Sequence, residues 1–160
     1  MSTNTPSFEI HRLQAKGRRF AIVAARFKAV VGERLIEGAR ATFRQHGADD
    51  SAVEVFRCPG SLELPGLARR VANTGRFAGI VCLGVVIRGD TIHFDLVAEH
   101  AAGGIARLAE EAKLAIGNCI LACETQEQAE SRAGGAMGNK GAEAAAVVLE
   151  IANLYQDIVP

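Results

Sequence analysis

The residues best suited to chemistry lie between Gly84 and Asp95, which read Gly-Val-Val-Ile-Arg-Gly-Asp-Thr-Ile-His-Phe-Asp. An apolar strand, Ala78 to Val86, runs there into the turn Arg88-Gly89-Asp90-Thr91, and helical spacing begins at Ile92. Backbone N–H groups at a tight turn and at a helix start point outward without partners. A phosphate can accept from them and gain from the helix dipole. His93 falls in the first helical turn. Imidazole has the side-chain pKa nearest neutrality, so a histidine beside a bound anion can give or take a proton during turnover. The same residues also fit an ordinary strand-to-helix connection with an exposed histidine.

Three further segments carry candidate groups. Phe27 directly follows an apolar strand, in a chain with seven Phe, one Tyr and no Trp. A flat heterocycle can stack on such a ring; a helix-capping hydrophobe would look the same. Gly60-Ser61-Leu62-Glu63 lacks the GxSxG pattern of a nucleophile elbow, so Ser61 suits hydrogen bonding better than attack. Glu63, at a helix opening, can hold the hydroxyls of a polyol or serve only the helix dipole. Between Ser131 and Gly141, Arg132 and Lys140 stand among four glycines. That loop can bring a guanidinium onto a phosphate, or it is a plain connector.

The elements that must position these groups alternate along the chain. Arg18 to Ala25 reads as a buried strand and Val30 to His46 as an amphipathic helix. Val53 to Arg57 is a strand, Leu62 to Ala72 a helix, Ala78 to Val86 a strand and Ile92 to Ala112 a helix. Gly117 to Cys123 is a strand, and Gln126 to Arg132 and Lys140 to Tyr155 are helices. Four strand-helix units call for a parallel sheet covered on both faces, a three-layer α/β/α sandwich of flavodoxin-like type. Ligands of such folds sit at the carboxyl ends of the strands, which collect Arg26-Phe27-Lys28, Cys58 to Pro65, the anion turn and Glu124-Thr125. Phe8 to Leu13 alternates apolar and polar residues and reads as an extra strand that pairs with a neighbouring subunit's sheet edge, or as part of a tail. Residues 1–7 are expected to be disordered.

At 160 residues the chain fits one domain spanning residues 1–160. Lys plus Arg and Asp plus Glu both number 18, so no broad field gathers nucleic acid or an anionic membrane. The strong acidity of a flavodoxin-like electron carrier is missing as well. No signal-peptide pattern and no apolar run of about 18 residues is present, which points to a cytoplasmic protein without a membrane anchor. Cys58, Cys82, Cys119 and Cys123 lie in or beside apolar runs and are expected to be buried free thiols. Their spacing gives no zinc pattern, and His93 with His100 lacks a clustered third ligand, so no metal is assigned.

Taken in order, Arg26-Phe27, Pro59 through Pro65, Leu83 through Asp95, Glu127-Gln128-Ala129, and Arg132-Ala133-Gly134 through Asn139-Lys140-Gly141 resemble lumazine synthase over about residues 8 to 157. The resemblance implies condensation of 5-amino-6-(D-ribitylamino)uracil with 3,4-dihydroxy-2-butanone 4-phosphate. The products would be 6,7-dimethyl-8-ribityllumazine, phosphate and water, a transferase step of riboflavin biosynthesis without metal or organic cofactor. By matching position, Phe27 would stack on the pyrimidine, and Ser61, Leu62 and Glu63 would hold that substrate and its ribityl chain. The backbone of Val85, Val86 and Ile87 would pair with the ring. Gly89, Asp90, Thr91 and Arg132, assisted by Lys140, would bind the phosphate, and His93 would donate protons.

One position departs from the family pattern. Where the family usually places a phenylalanine from the adjacent subunit, this chain has Asn118. A noncatalytic shell or flavin-binding protein of the same fold is therefore the alternative reading. The family site lies between subunits, so a homopentamer is expected. The short joint Gly134 to Gly138 suits relatives that assemble 60 subunits into a shell, which in some cases encloses riboflavin synthase.

Overall fold

The computed structural model of the chain describes residues 6–158. Its central sheet contains β1 (Phe20–Ala25), β2 (Val53–Cys58), β3 (Gly79–Ile87) and β4 (Ala115–Cys123), all parallel and in the order β2-β1-β3-β4. The helices between and after them are α1 (Ala29–Gln45), α2 (Leu64–Ala72), α3 (His93–Glu111), α4 (Gln126–Ser131) and α5 (Lys140–Asp157). This is the three-layer α/β architecture that the alternation of elements predicts. Chain order reverses across β1: β2 lies on one side of it and β3 on the other. Open α/β sheets form their ligand crevice at such a switch point, outside the carboxyl ends of the strands.

Burial explains why β1 and β3 read as continuous apolar runs. All six residues of β1 and eight of the nine in β3 are buried, because helices cover both faces. On one face Val31, Leu35, Ile36 and Phe43 of α1 join Val148 and Leu149 of α5 over Phe20, Ile22, Val81 and Leu83. Phe20 stacks on Phe43 with ring centroids 4.6 Å apart. On the other face Leu64, Ala68 and Val71 of α2 and Ile105 and Leu108 of α3 pack over Ala21, Val23, Ile80 and Cys82. α1 and α5 meet closely at Gly141, where a Cβ would run into the Leu35 carbonyl. The edge strand β4 instead alternates in burial, leaving Asn118 and Ala122 exposed.

Several local expectations change. Phe8 to Leu13 forms no strand within the chain; Ile10–Arg12 is a single 3-10 turn. Within the chain its backbone and side chains find partners on the end of α5. Arg12 pairs with Asp157 and with Glu9 at 2.6 Å, and the Asn153 amide donates to the carbonyls of Arg12 and of Gln14. Of the expected tail, residues 1–5 lie outside the described residues. β4 starts at Ala115, two residues early, and the glycine-rich joint is a small hairpin, β5 (Ala133–Gly135) with β6 (Gly138–Asn139). The four cysteines are buried and free. Among the described residues no helix is long and apolar enough to cross a membrane.

Candidate functional site

A cleft of about 330 Å³ opens at the carboxyl ends of β1, β2 and β3, at the switch point. Each strand end contributes a loop. After β1, Lys28 adopts a left-handed backbone (φ 60°) and turns the chain into α1. Phe27 is thereby held outward with 70% of its surface exposed, a flat apolar wall of the cleft.

After β2, Ser61–Glu63 forms a 3-10 turn that leads into α2. The Glu63 carboxylate accepts from the Gly60 N–H at 2.9 Å, and the Cys58 thiol donates to the Gly60 carbonyl at 3.4 Å. Burial and the Glu63 charge push the Cys58 thiol above its usual range, so it stays protonated as a donor. Ser61 is buried at the base of the cleft, while Leu62 and Glu63 are exposed at its rim. Gly84 makes room for this loop, since a Cβ there would lie 2.5 Å from the Ser61 hydroxyl oxygen.

β3 supplies the floor. Its ladder to β1 ends at Ala24↔Leu83, whereas its ladder to β4 continues to Ile87↔Cys123. The backbone of Val85, Val86 and Ile87 therefore lines the cleft on an edge that no strand occupies. Beyond it, Gly89 and Thr91 line the cleft at the turn, and Thr91 Oγ1 accepts from the His93 N–H at 3.2 Å. His93 opens α3 and is exposed to the cleft; Asp90 is exposed in the turn but lies off the cleft wall. Sequence reasoning missed Phe94 and Val97, which complete the wall. Val97 stands four residues from His93 on the helix and Phe94 three from Val97, and that spacing was the signal available.

The remaining candidates lie elsewhere. Asn118, Arg132 and Lys140 line a second groove, of about 430 Å³, along the exposed edge of β4. The Asn118 side-chain oxygen accepts from the Ile120 N–H at 2.9 Å. Arg132 donates to the Gln128 carbonyl at 3.0 Å and to the Ser131 hydroxyl at 3.3 Å, both on α4. Lys140 pairs with Glu143 at 2.9 Å. Within one chain the structure thus assembles Phe27, Ser61, Leu62, Glu63 and Val85 to Ile87 with His93, Gly89 and Thr91, and sets the pyrimidine-side candidate Asn118 and the basic candidates Arg132 and Lys140 apart from them. Among the described residues no group of three or more His, Cys, Asp or Glu is placed to hold a metal ion.

The sequence profile of the 6,7-dimethyl-8-ribityllumazine synthase family matches residues 17–156. A protein of that name from Chlorobium phaeobacteroides is 46% identical over 144 residues, covering 90% of this chain and 93% of its own. Another, from Anaeromyxobacter sp. strain Fw109-5, is 48% identical over 145 residues, covering 91% and 89%. A third, from Pelodictyon phaeoclathratiforme, is 44% identical over 146 residues, covering 91% and 94%. With the switch-point cleft and its histidine in place, the chain belongs to the 6,7-dimethyl-8-ribityllumazine synthase family.

Proposed function

We propose that this chain condenses 5-amino-6-(D-ribitylamino)uracil with 3,4-dihydroxy-2-butanone 4-phosphate to 6,7-dimethyl-8-ribityllumazine, phosphate and water, as a cytoplasmic transferase of riboflavin biosynthesis. The observation that carries this reading is the free edge of Val85, Val86 and Ile87, set between the exposed ring of Phe27 and His93. A pyrimidine presents donors and acceptors along its edge and an apolar face. An unpaired strand edge beside an aromatic wall recognises both.

The roles follow from position. Phe27 stacks on the ring, the backbone of Val85 to Ile87 reads its edge, and Ser61, Leu62 and Glu63 hold the ribityl chain. The amides at Gly89 and Thr91, with Asp90 completing the turn, receive the phosphate at the start of α3. The substrate amine attacks the ketone to form an imine, phosphate leaves, and ring closure expels a second water. His93 moves protons through these steps. The substrates already contain the nucleophile and the leaving group. Holding them together therefore supplies much of the acceleration, up to roughly 7–11 kcal/mol for well-oriented partners.

Arg132, Lys140 and Asn118 fit this reading when the β4 groove of one copy closes over the cleft of the next, as in a homopentamer. The short β5–β6 hairpin suits relatives that build a 60-subunit shell able to enclose riboflavin synthase. The test is a stopped absorbance assay of the lumazine chromophore with both substrates. Product should form faster than the uncatalysed background, more slowly but still measurably in His93→Ala, and at background rate in Arg132→Ala. No acceleration by the folded parent protein overturns the proposal.

A further inference from the structure

We propose that Arg88 is a positioning residue: its guanidinium clamps the first turn of α3 and the entry to α4 onto the end of the sheet, setting His93 and Arg132 from one point. The roles of His93 and Arg132 rest on the function proposed above; the clamp itself rests on geometry.

Arg88 is the first residue past β3, and its backbone N–H donates to the Cys123 carbonyl at 2.9 Å, tying it to the end of β4. From there its side chain spans two elements. Nη1 and Nη2 reach the two Asp95 carboxylate oxygens at 3.4 and 3.3 Å, and Nε reaches Glu124 at 2.7 Å. The guanidinium carbon sits 4.5 Å from the centre of the Phe94 ring. Phe94 and Asp95 directly follow His93, so three of these contacts fix the turn that presents the imidazole.

The Glu124 contact acts on the other groove. Glu124 is the first residue past β4, and its backbone N–H donates to the Gln128 side chain at 2.7 Å. Gln128 and Thr125 close the capping box that starts α4, and the Gln128 carbonyl in turn accepts from Arg132. A continuous path of hydrogen bonds thus runs from Asp95 through Arg88, Glu124 and Gln128 to Arg132. An isolated exposed ion pair contributes little, but a planar guanidinium shared by two carboxylates and an aromatic face is a preorganised network. Lysine cannot reproduce it, because its single ammonium has no fork to share.

Hydrogen exchange on the assembled protein tests the clamp without any use of activity. Arg88→Gln should speed exchange in residues 92–98 and in 124–132. Asp95→Asn should speed only the first segment and Glu124→Gln only the second. In the lumazine assay, Arg88→Gln and Asp95→Asn should lower kcat roughly tenfold, the scale of a sub-ångström misplacement. Arg88→Gln and Glu124→Gln should raise KM for the phosphate substrate severalfold, and Arg88→Lys should not restore kcat. If Arg88→Gln fails to fold, the split between the two carboxylate variants decides alone. Unchanged exchange in both segments, or equal loosening of both by each variant, overturns the clamp. An inactive parent with the exchange pattern intact would overturn the functional proposal and leave the clamp standing.

Discussion

The Glu63 carboxylate accepts the Gly60 N–H at 2.9 Å, so the side chain proposed to hold substrate hydroxyls also holds its own loop closed. Glu63→Gln keeps an acceptor for Gly60, whereas Glu63→Ala leaves that N–H to water. Loss of such a cap costs about 1 kcal/mol, a lowering of Tm by about 2–4 °C in a chain of this length. Calorimetry should show that loss in Glu63→Ala and not in Glu63→Gln. KM for the pyrimidine should rise in both, more in the alanine variant.

In the proposed site Asn118 takes the place of a second stacking wall, and its side-chain oxygen is engaged by the Ile120 N–H on an exposed strand edge. Water can replace that acceptor, so Asn118→Phe forfeits little. The added ring brings a stacking contribution of roughly 1–3 kcal/mol. Titration calorimetry with the pyrimidine substrate should show Kd falling about tenfold or more in Asn118→Phe. An unchanged Kd would mean that this position does not face the ligand.

Two glycines on helices should respond oppositely to alanine. At Gly141 a Cβ meets the Leu35 backbone, which cannot yield without separating α1 from α5. At Gly66, in the first turn of α2, no atom lies within 4 Å of the added methyl group. Denaturant unfolding should show Gly141→Ala destabilised by about 1–3 kcal/mol or more. Gly66→Ala should gain about 0.5–1 kcal/mol from helix propensity.

Burial pushes the thiols of Cys82 and Cys119 up to about 12, from an ordinary 9.0. The folded chain keeps both protons where the unfolded chain releases them. The stabilisation is therefore whole below pH 9 and is lost progressively as pH rises from 9 toward 12. Denaturation midpoints should fall along that alkaline limb, less steeply in Cys82→Ala/Cys119→Ala. At pH 7 the native protein should resist alkylation at both thiols.

Much of this was legible in the sequence because period and burial agree. The apolar runs of β1 and β3 and the helical face from Val31 to Phe43 can be read directly, and strand ends then locate the cleft. Phe27, Ser61, Glu63, Val85 and His93 could be gathered at one site on that logic alone. The separation of Asn118, Arg132 and Lys140 could not, since it follows from β4 lying at the sheet edge, a matter of strand order. The β5–β6 hairpin is too short for any period to show, and the alternation of Phe8 to Leu13 was overridden by the partners Arg12 finds on α5. Arg88 looked like part of an anion turn; only distance reveals that Asp95 and Glu124 already occupy it.

Lys28 alone among the described non-glycine residues turns left-handed, and it does so at the mouth of the cleft, directly after the ring that forms its wall. That conformation costs an L-residue about 1–2 kcal/mol. The first strand-to-helix connection is therefore a spring held under load by the helices around it. The strain sits in the loop that bears the Phe27 wall, so Lys28→Gly should relieve it and raise the unfolding midpoint while leaving that wall freer to move and substrate recognition weaker.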